Sequence, residues 1–323
     1  MLRITRIMLA AALGLAAIAC APKNTSEVPA LKVKGTTLTA NGEPVVMRGI
    51  SYGWHNIWPR FYNKESAARL VKEWGVPVLR AAIGADDHAK ADNPGIHGGY
   101  MGEPEFALDC LYNVVDGAIE AGAYIIVDWH SHVLHQEEAI EFFTKVATRY
   151  KDCNNVIYEL YNEPVNDSWA DLKAYAEVLI ELIDGISTVH PLILMGCPHW
   201  DQDINLPAED PITIYDNLMY TVHFYAGTHK VWLRDKCDAA LEAGIPIFIS
   251  ECAACEASGD GPMDLDSWNE WSSWAGEKGI TLLTWSISDK NETCSMFTPA
   301  ASSEGPWEED VIKPWGKVVK DWI

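Results

Sequence analysis

Ala123-Tyr124-Ile125-Ile126-Val127-Asp128-Trp129-His130 is apolar along most of its length and turns polar only at its far end. A strand with one face in water alternates apolar and polar residues, and this one does not. Near-continuous apolar strands belong to parallel sheets covered by helices on both faces. Seven further stretches share the character: 45–50, 76–82, 156–161, 192–195, 218–224, 245–250 and 280–285. Amphipathic segments of helical period lie between them, among them 66–74, 111–121, 139–150 and 169–189. Eight such units in succession predict an α/β fold of the (β/α)8 TIM-barrel type rather than a doubly wound sheet. A short β-hairpin precedes the barrel, with strand-like residues from Leu31 to Thr39, an Asn41-Gly42 turn and a return from Pro44.

The 323 residues, 48% hydrophobic, supply ample core for one large domain, read here as residues 31–323. No 20–50-residue repeat and no low-complexity linker divides it. The formal net charge of -22, with Lys and Arg scattered, repels phosphate backbones and anionic headgroups, which argues against nucleic-acid and membrane-surface partners. Residues 1–20 read as an export signal: Arg3 and Arg6 precede an apolar run too short to span a bilayer. Its end, Ala17-Ile18-Ala19-Cys20, resembles the lipobox of bacterial lipoproteins. In that reading Cys20 carries lipid and residues 21–30 form a tether. The expected location is the bacterial outer membrane or cell surface, with secretion as the alternative, and Cys20 is the only membrane contact. Seven cysteines remain, an odd number, so at least one thiol is free or pairs between chains. Cys252 and Cys255 form a C-x-x-C without the second pair or the context that redox or zinc chemistry requires.

In a barrel of this kind the active site gathers at the carboxyl ends of the strands. Read in order, those ends carry Arg80, then Asp128-Trp129-His130, Asn162-Glu163-Pro164, His199-Trp200, His223-Phe224-Tyr225, Glu251 and Trp285. Packing alone does not demand charged and aromatic groups at nearly every end. Two carboxylates on different strands suit glycosidic bond cleavage, one protonating the leaving oxygen while the other attacks or activates water. Strands about 4.8 Å apart and tilted about 36° close at a radius of roughly 7.5 Å. The fourth and seventh strands then hold their Cα atoms roughly 14 Å apart, leaving about 6–7 Å between the carboxyls of Glu163 and Glu251. That interval lies between the retaining separation of about 5–5.5 Å and the inverting range from about 6.5 Å, and leaves the stereochemistry open.

The stretch Ile157-Tyr158-Glu159-Leu160-Tyr161-Asn162-Glu163-Pro164 resembles the acid/base motif of glycoside hydrolase family 5, the cellulase family. Met47-Arg48-Gly49-Ile50-Ser51, Ile126-Val127-Asp128-Trp129-His130, Met219-Tyr220-Thr221-Val222-His223-Phe224-Tyr225, Ile247-Phe248-Ile249-Ser250-Glu251 and Thr284-Trp285-Ser286-Ile287-Ser288-Asp289-Lys290 extend the resemblance in order. It implies a retaining endo-β-1,4-glucanase working by double displacement, with Glu251 as nucleophile and Glu163 as acid/base. Arg80 and Tyr225 resemble the residues that touch the nucleophile, and His223 and His130 those that orient sugar and carboxylates. Asn162 would bond the sugar 2-hydroxyl, and Trp285 would lie under the reacting ring. Trp58 and Trp200 resemble sugar platforms, and Lys290 and Glu292 polar contacts to a more distant sugar.

Trp268, Trp271 and Trp274 recur every third residue in a helical stretch and read as packing. His130, His132 and His135 lack a matching carboxylate motif, so neither metal nor cofactor is expected. Cys252-Ala253 after Glu251, Gly84 after the second strand and the loop 85–99 depart from the commoner family pattern. They bear on which β-linked glycan is taken. A mannanase, a xyloglucanase and a surface glycan-binding protein without turnover are the alternatives to a β-glucanase.

Overall fold

Four of the eight barrel strands begin two or three residues later than hydrophobicity alone suggests: Met47, ahead of the first, closes the barrel floor, whereas Val76, Ile245 and Ile280 pack into the main core. In the computed structural model, which describes residues 28–87 and 96–323, eight parallel strands form a closed barrel. They are β4 (Arg48–Tyr52), β5 (Val78–Gly84), β6 (Tyr124–His130), β7 (Val156–Glu159), β8 (Ile193–Met195), β9 (Leu218–Tyr225), β10 (Ile247–Ala253) and β11 (Leu282–Ile287). Each is paired with its sequence neighbour, and β11 closes onto β4. Pro77 and Pro246 sit just before β5 and β10, where the missing amide hydrogen is tolerated only ahead of the ladder.

The N-terminal element is a sheet of three short antiparallel strands, β1 (Leu31–Lys34), β2 (Thr37–Ala40) and β3 (Glu43–Pro44). The stretch expected as one hairpin arm is itself folded back at Gly35, whose φ is 62°. The Asn41-Gly42 turn is as expected, both residues having positive φ as a tight primed turn requires. Leu31 and Leu38 pack with Met47, Val78, Ile126, Ile157, Met219, Phe248 and Leu283 into an apolar plug across the barrel floor. Chemistry is thereby confined to the opposite end.

Outside the barrel run α1 (Lys64–Glu73), α2 (Pro104–Ala121), α3 (Gln136–Tyr150), α4 (Trp169–Ile186), the short α5 (Asn205–Glu209), α6 (Val231–Glu242), α7 (Leu265–Lys278) and α8 (Pro314–Trp322). Asn63, Ser168 and Asp264 cap α1, α4 and α7 by accepting a backbone N–H with their side chains. Helix α2 starts seven residues earlier than hydrophobic period indicates, at a proline suited to a first helical turn. The tryptophans of α7 pack as expected: Trp271 stacks on Phe224 at 4.0 Å between centroids, and Trp268 meets Trp315 edge-on. All seven cysteines after Cys20 are buried thiols. The export signal, Cys20 and most of the tether lie outside the described residues, as do residues 88–95 of the loop after β5.

Candidate active site

Above the apolar plug the barrel interior becomes ionic. Arg80, on an inward position of β5, is completely buried and donates four hydrogen bonds, with a further oxygen in ion-pair contact. Its Nε donates to Glu159 at 2.6 Å, and one terminal nitrogen donates to Glu251 at 3.0 Å and to Ser51 at 3.3 Å. The other reaches Asn162 at 2.7 Å and Asp128 at 3.0 Å. Three carboxylates thus share one guanidinium. Burial pushes Glu159 up, but Arg80 and His223 outweigh it and hold the group below its ordinary range, while burial pushes Asp128 well above that range despite Arg80. A buried arrangement of this kind costs more desolvation than its Coulomb energy returns unless every group is bonded. It is a device for position rather than for stability.

Glu251 enters this frame through a local irregularity. The register of β10 against β9 shifts between Phe248 and Glu251. The bulge turns both Ser250 and Glu251 inward, which a regular two-residue alternation forbids. Ser250 donates to Glu159 at 2.5 Å, and Glu251 accepts from Tyr225 Oη at 2.6 Å on one oxygen and from Arg80 on the other.

Glu163 follows β7, its amide bonded to the Ser131 carbonyl. One carboxylate oxygen lies 2.9 Å from His223 Nδ1 and the other 3.2 Å from His132 Nε2. Carboxylate oxygens of Glu163 and Glu251 and a ring nitrogen of His223 lie within 4.8 Å of one another.

Burial pushes Glu163 up, yet its bonds to the two histidines outweigh that and hold it below the ordinary carboxylate range. Glu251 stands above that range through burial and the adjacent Glu163 charge, against the pull of His223, Arg80 and Tyr225. His223 is held well above the usual imidazole range: burial opposes this, and Asp201, Glu159 and Glu163 overcome it. The proton of the Glu163–His223 contact therefore rests on the imidazole. His130 is the reverse, pushed well below by burial and Arg80, and its Nδ1 lies 2.6 Å from Asp128.

The remaining expected site residues are placed as follows. Trp285 stacks on the His130 ring at 5.4 Å with 8° between planes. Trp200 is exposed and lines a cavity of about 560 Å³ with Glu163, His132, His223, Tyr225 and Trp232. It stands on a turn in which His199, Trp200 and Asp201 have φ of 62°, 54° and 61°. Left-handed backbone at bulky residues costs about 1–3 kcal/mol apiece and marks functional positions. Lys290 and Glu292 form an ion pair of 2.5 Å, Glu292 nearly buried and lining a separate cavity with Asp260 and Lys313. Trp58 packs over Gly53, where a Cβ would lie 2.6 Å from its ring, and no contact ties it to the carboxylates.

Four contributors were not singled out from sequence, Glu159, Ser250, Asp201 and Trp54, the last T-shaped against His130 at 4.4 Å, and His132 was considered there only as a metal ligand beside His130 and His135. Glu159 did carry a signal, since a charge inside a strand buried on both faces must have a partner. His132 and Asp201 carried none, as their partners come from other strands.

A closed parallel barrel whose mouth holds two neighbouring carboxylates, an arginine clamp and stacked aromatics has the form of a glycosidase site. The family model for cellulase, glycosyl hydrolase family 5, matches residues 38–291, and the chain belongs to that family. It is 35% identical over 301 residues to an endoglucanase of Clostridium saccharobutylicum, covering 91% of this chain and 64% of that protein. A solved structure from Cytophaga hutchinsonii superimposes with a TM-score of 0.85 at 35% identity, over 91% of this chain and 94% of the other. The catalytic domain of Thermobifida fusca endoglucanase Cel5A, solved as a variant with cellotetraose, gives 0.81 at 27%, over 90% and 96%.

Proposed function

We propose that this chain is a retaining endo-β-1,4-glucanase acting on cellulose-like or mixed-linkage β-glucan. The observation that carries the reading is the closeness of the two carboxylates, within 4.8 Å. An oxygen of each carboxylate lying this close favours the shorter, retaining separation of about 5–5.5 Å over the inverting range of about 6.5–9.5 Å. The cellotetraose bound by the Thermobifida relative and the endoglucanase name of the Clostridium relative support the β-1,4-glucan substrate.

Glu251 attacks the anomeric carbon as the glycosidic C–O bond breaks, and the leaving oxygen takes a proton from Glu163. Tyr225 and Arg80 hold the attacking carboxylate, one bond to each oxygen, so that rotation of the group is already lost before reaction. With the protein's own groups alone, the proton order runs against this scheme, Glu163 lying low and Glu251 high. In this scheme His223, 2.9 Å from Glu163, is the proton reservoir: the imidazolium passes its proton to Glu163 as Glu163 serves the leaving oxygen, and takes one back from Glu163 in the second half. In the second half Glu163 takes a proton from water, whose oxygen displaces Glu251 from the anomeric carbon. Asn162, held by Arg80 at 2.7 Å, faces the 2-hydroxyl, Trp285 underlies the sugar, and Trp200 extends the cleft.

The test is reducing-sugar release from carboxymethylcellulose, barley β-glucan and mannan, with proton NMR of the anomer first released. We expect β-anomer from the two glucans and a loss of about 10³-fold or more in Glu251→Ala and about 10²–10⁴-fold in Glu163→Gln. α-Anomer first refutes the retaining step. Hydrolysis of mannan alone moves the substrate to the mannanase reading, and binding without cleavage in the wild type leaves a glycan-binding protein.

A further inference from the structure

The left-handed turn after β8 touches both the sugar cleft and the acid/base carboxylate. Trp200 projects into the cleft, and its amide donates to the carbonyl of Pro164, the residue after Glu163, at 3.0 Å. The next residue, Asp201, is fully buried. Its Oδ1 accepts from the Cys197 amide at 2.8 Å and its Oδ2 from Thr221 Oγ1 at 2.6 Å. The same Oδ2 lies in ion-pair contact, 3.4 Å, with Nε2 of His223, which is also hydrogen-bonded to Ser250 Oγ at 2.9 Å and whose other nitrogen meets Glu163. Gly196 makes room for it, since a Cβ there would lie 2.7 Å from Asp201 Oδ1. A bulky residue does not enter left-handed backbone unless its surroundings compel it. Here three anchors on one carboxylate supply the compulsion.

We propose that Asp201 is a positioning residue for the leaving-group half of the reaction: its carboxylate pins the strained turn that presents Trp200 and orients the charged imidazole that serves Glu163. The inference rests on the glucanase reading above. Asp201 touches neither sugar nor reacting atoms, so it acts through His223 and Trp200.

The charge consequence has a definite sign. Facing His223 and Asp201 are Glu159 and Glu163 from β7 and its loop, Glu251 from β10, Arg80 from β5, His130 from β6 and Cys197 beside the turn. Burial pushes Asp201 well above the ordinary carboxylate range, against His223 and the Thr221 bond, so Asp201 belongs to the group of residues that share a proton. Replacing its carboxyl by an amide removes one site for that proton and weakens the group's hold on it. The basic limb of the rate profile then moves to lower pH.

Asp201→Asn keeps the shape and removes the charge. The assay is kcat/KM against pH on barley β-glucan and on 2,4-dinitrophenyl β-cellobioside, whose phenolate departs without a proton. We expect a loss of about 10–100-fold on the glucan, a loss below about threefold on the aryl substrate, and a basic limb about one unit lower on the glucan. Equal losses on both substrates, or an unmoved basic limb, overturn the proposal. Thr221→Val removes one anchor and keeps the charge, and serves if Asp201→Asn shows no cooperative melt. It should lose glucan activity selectively with the limb in place, and a wild-type ratio of the two activities overturns the anchoring role. A wild type silent on both substrates refutes the glucanase reading and this inference together, whereas an active wild type matched by Asp201→Asn refutes the inference alone.

Discussion

Replacing Arg80 by lysine retains the positive charge and removes the geometry. Arginine meets five oxygens here, four by hydrogen bond and that of Asp128 by ion-pair contact, whereas an ammonium offers only three N–H groups. At least two of Glu159, Ser51, Glu251, Asn162 and Asp128 must lose their contact, in a place that excludes water. Each buried group left unsatisfied costs about 1–3 kcal/mol, so the variant should lose about 2–6 kcal/mol of stability. At about 2 °C per kcal/mol for a chain of this size, the melting midpoint falls by about 4–12 °C. Catalysis suffers separately. A bond to the charged nucleophile is worth about 1.5–3 kcal/mol, and losing it lowers kcat/KM by about 10- to 150-fold. The assay pairs thermal melts with kcat/KM on β-glucan and on dinitrophenyl cellobioside. Because Glu251 attacks both substrates, both rates should fall alike, unlike the selective loss expected of Asp201→Asn. A midpoint within 2 °C of wild type together with activity within threefold would refute the view that Arg80 organises the site.

Two further outcomes follow from particular residues. His55 is fully buried, accepts the Gly84 amide on Nδ1 at 3.0 Å, and is pushed down to about 3 by burial and by His97. Below about 6.5 the unfolded chain takes up a proton that the folded one refuses. Stability present above that pH is therefore lost as pH falls toward 3, by about 1.4 kcal/mol per unit. Urea unfolding of His55→Gln between pH 6.5 and 4 should give a shallower dependence than wild type, and parallel curves would count against this assignment. The Ala17-Ile18-Ala19-Cys20 segment leads us to propose export with lipid on Cys20. Expressed in a bacterium with labelled fatty acid, the wild type should carry label and partition into detergent, and Cys20→Ala should not. Unlabelled wild type would leave ordinary secretion as the reading.

Much of the architecture follows from local pattern, and the errors are instructive. Unbroken apolar runs such as Tyr124–His130 can satisfy both faces only inside a covered parallel sheet, so the barrel was readable strand by strand. Strand starts were misplaced by two or three residues in four units because Met47, Val76, Ile245 and Ile280 are apolar for a different reason, closing the barrel floor or packing into the main core outside the ladder. The second turn at Gly35 went unread because Lys34-Gly35-Thr36 is a weaker turn signal than Asn41-Gly42.

The sequence by itself determined the class of chemistry: carboxylates, histidines and tryptophans at successive strand ends sit at one mouth whatever the details of packing, since parallel strands all end on the same side. It did not determine which groups share a proton. The β10 bulge that brings Glu251 near Glu163, the five oxygen contacts of Arg80, and the approach of His132 and Asp201 to the acid/base end join residues from different strands. Proton affinity depends on distances of a few ångströms between such groups, and those distances exist only once the barrel has closed.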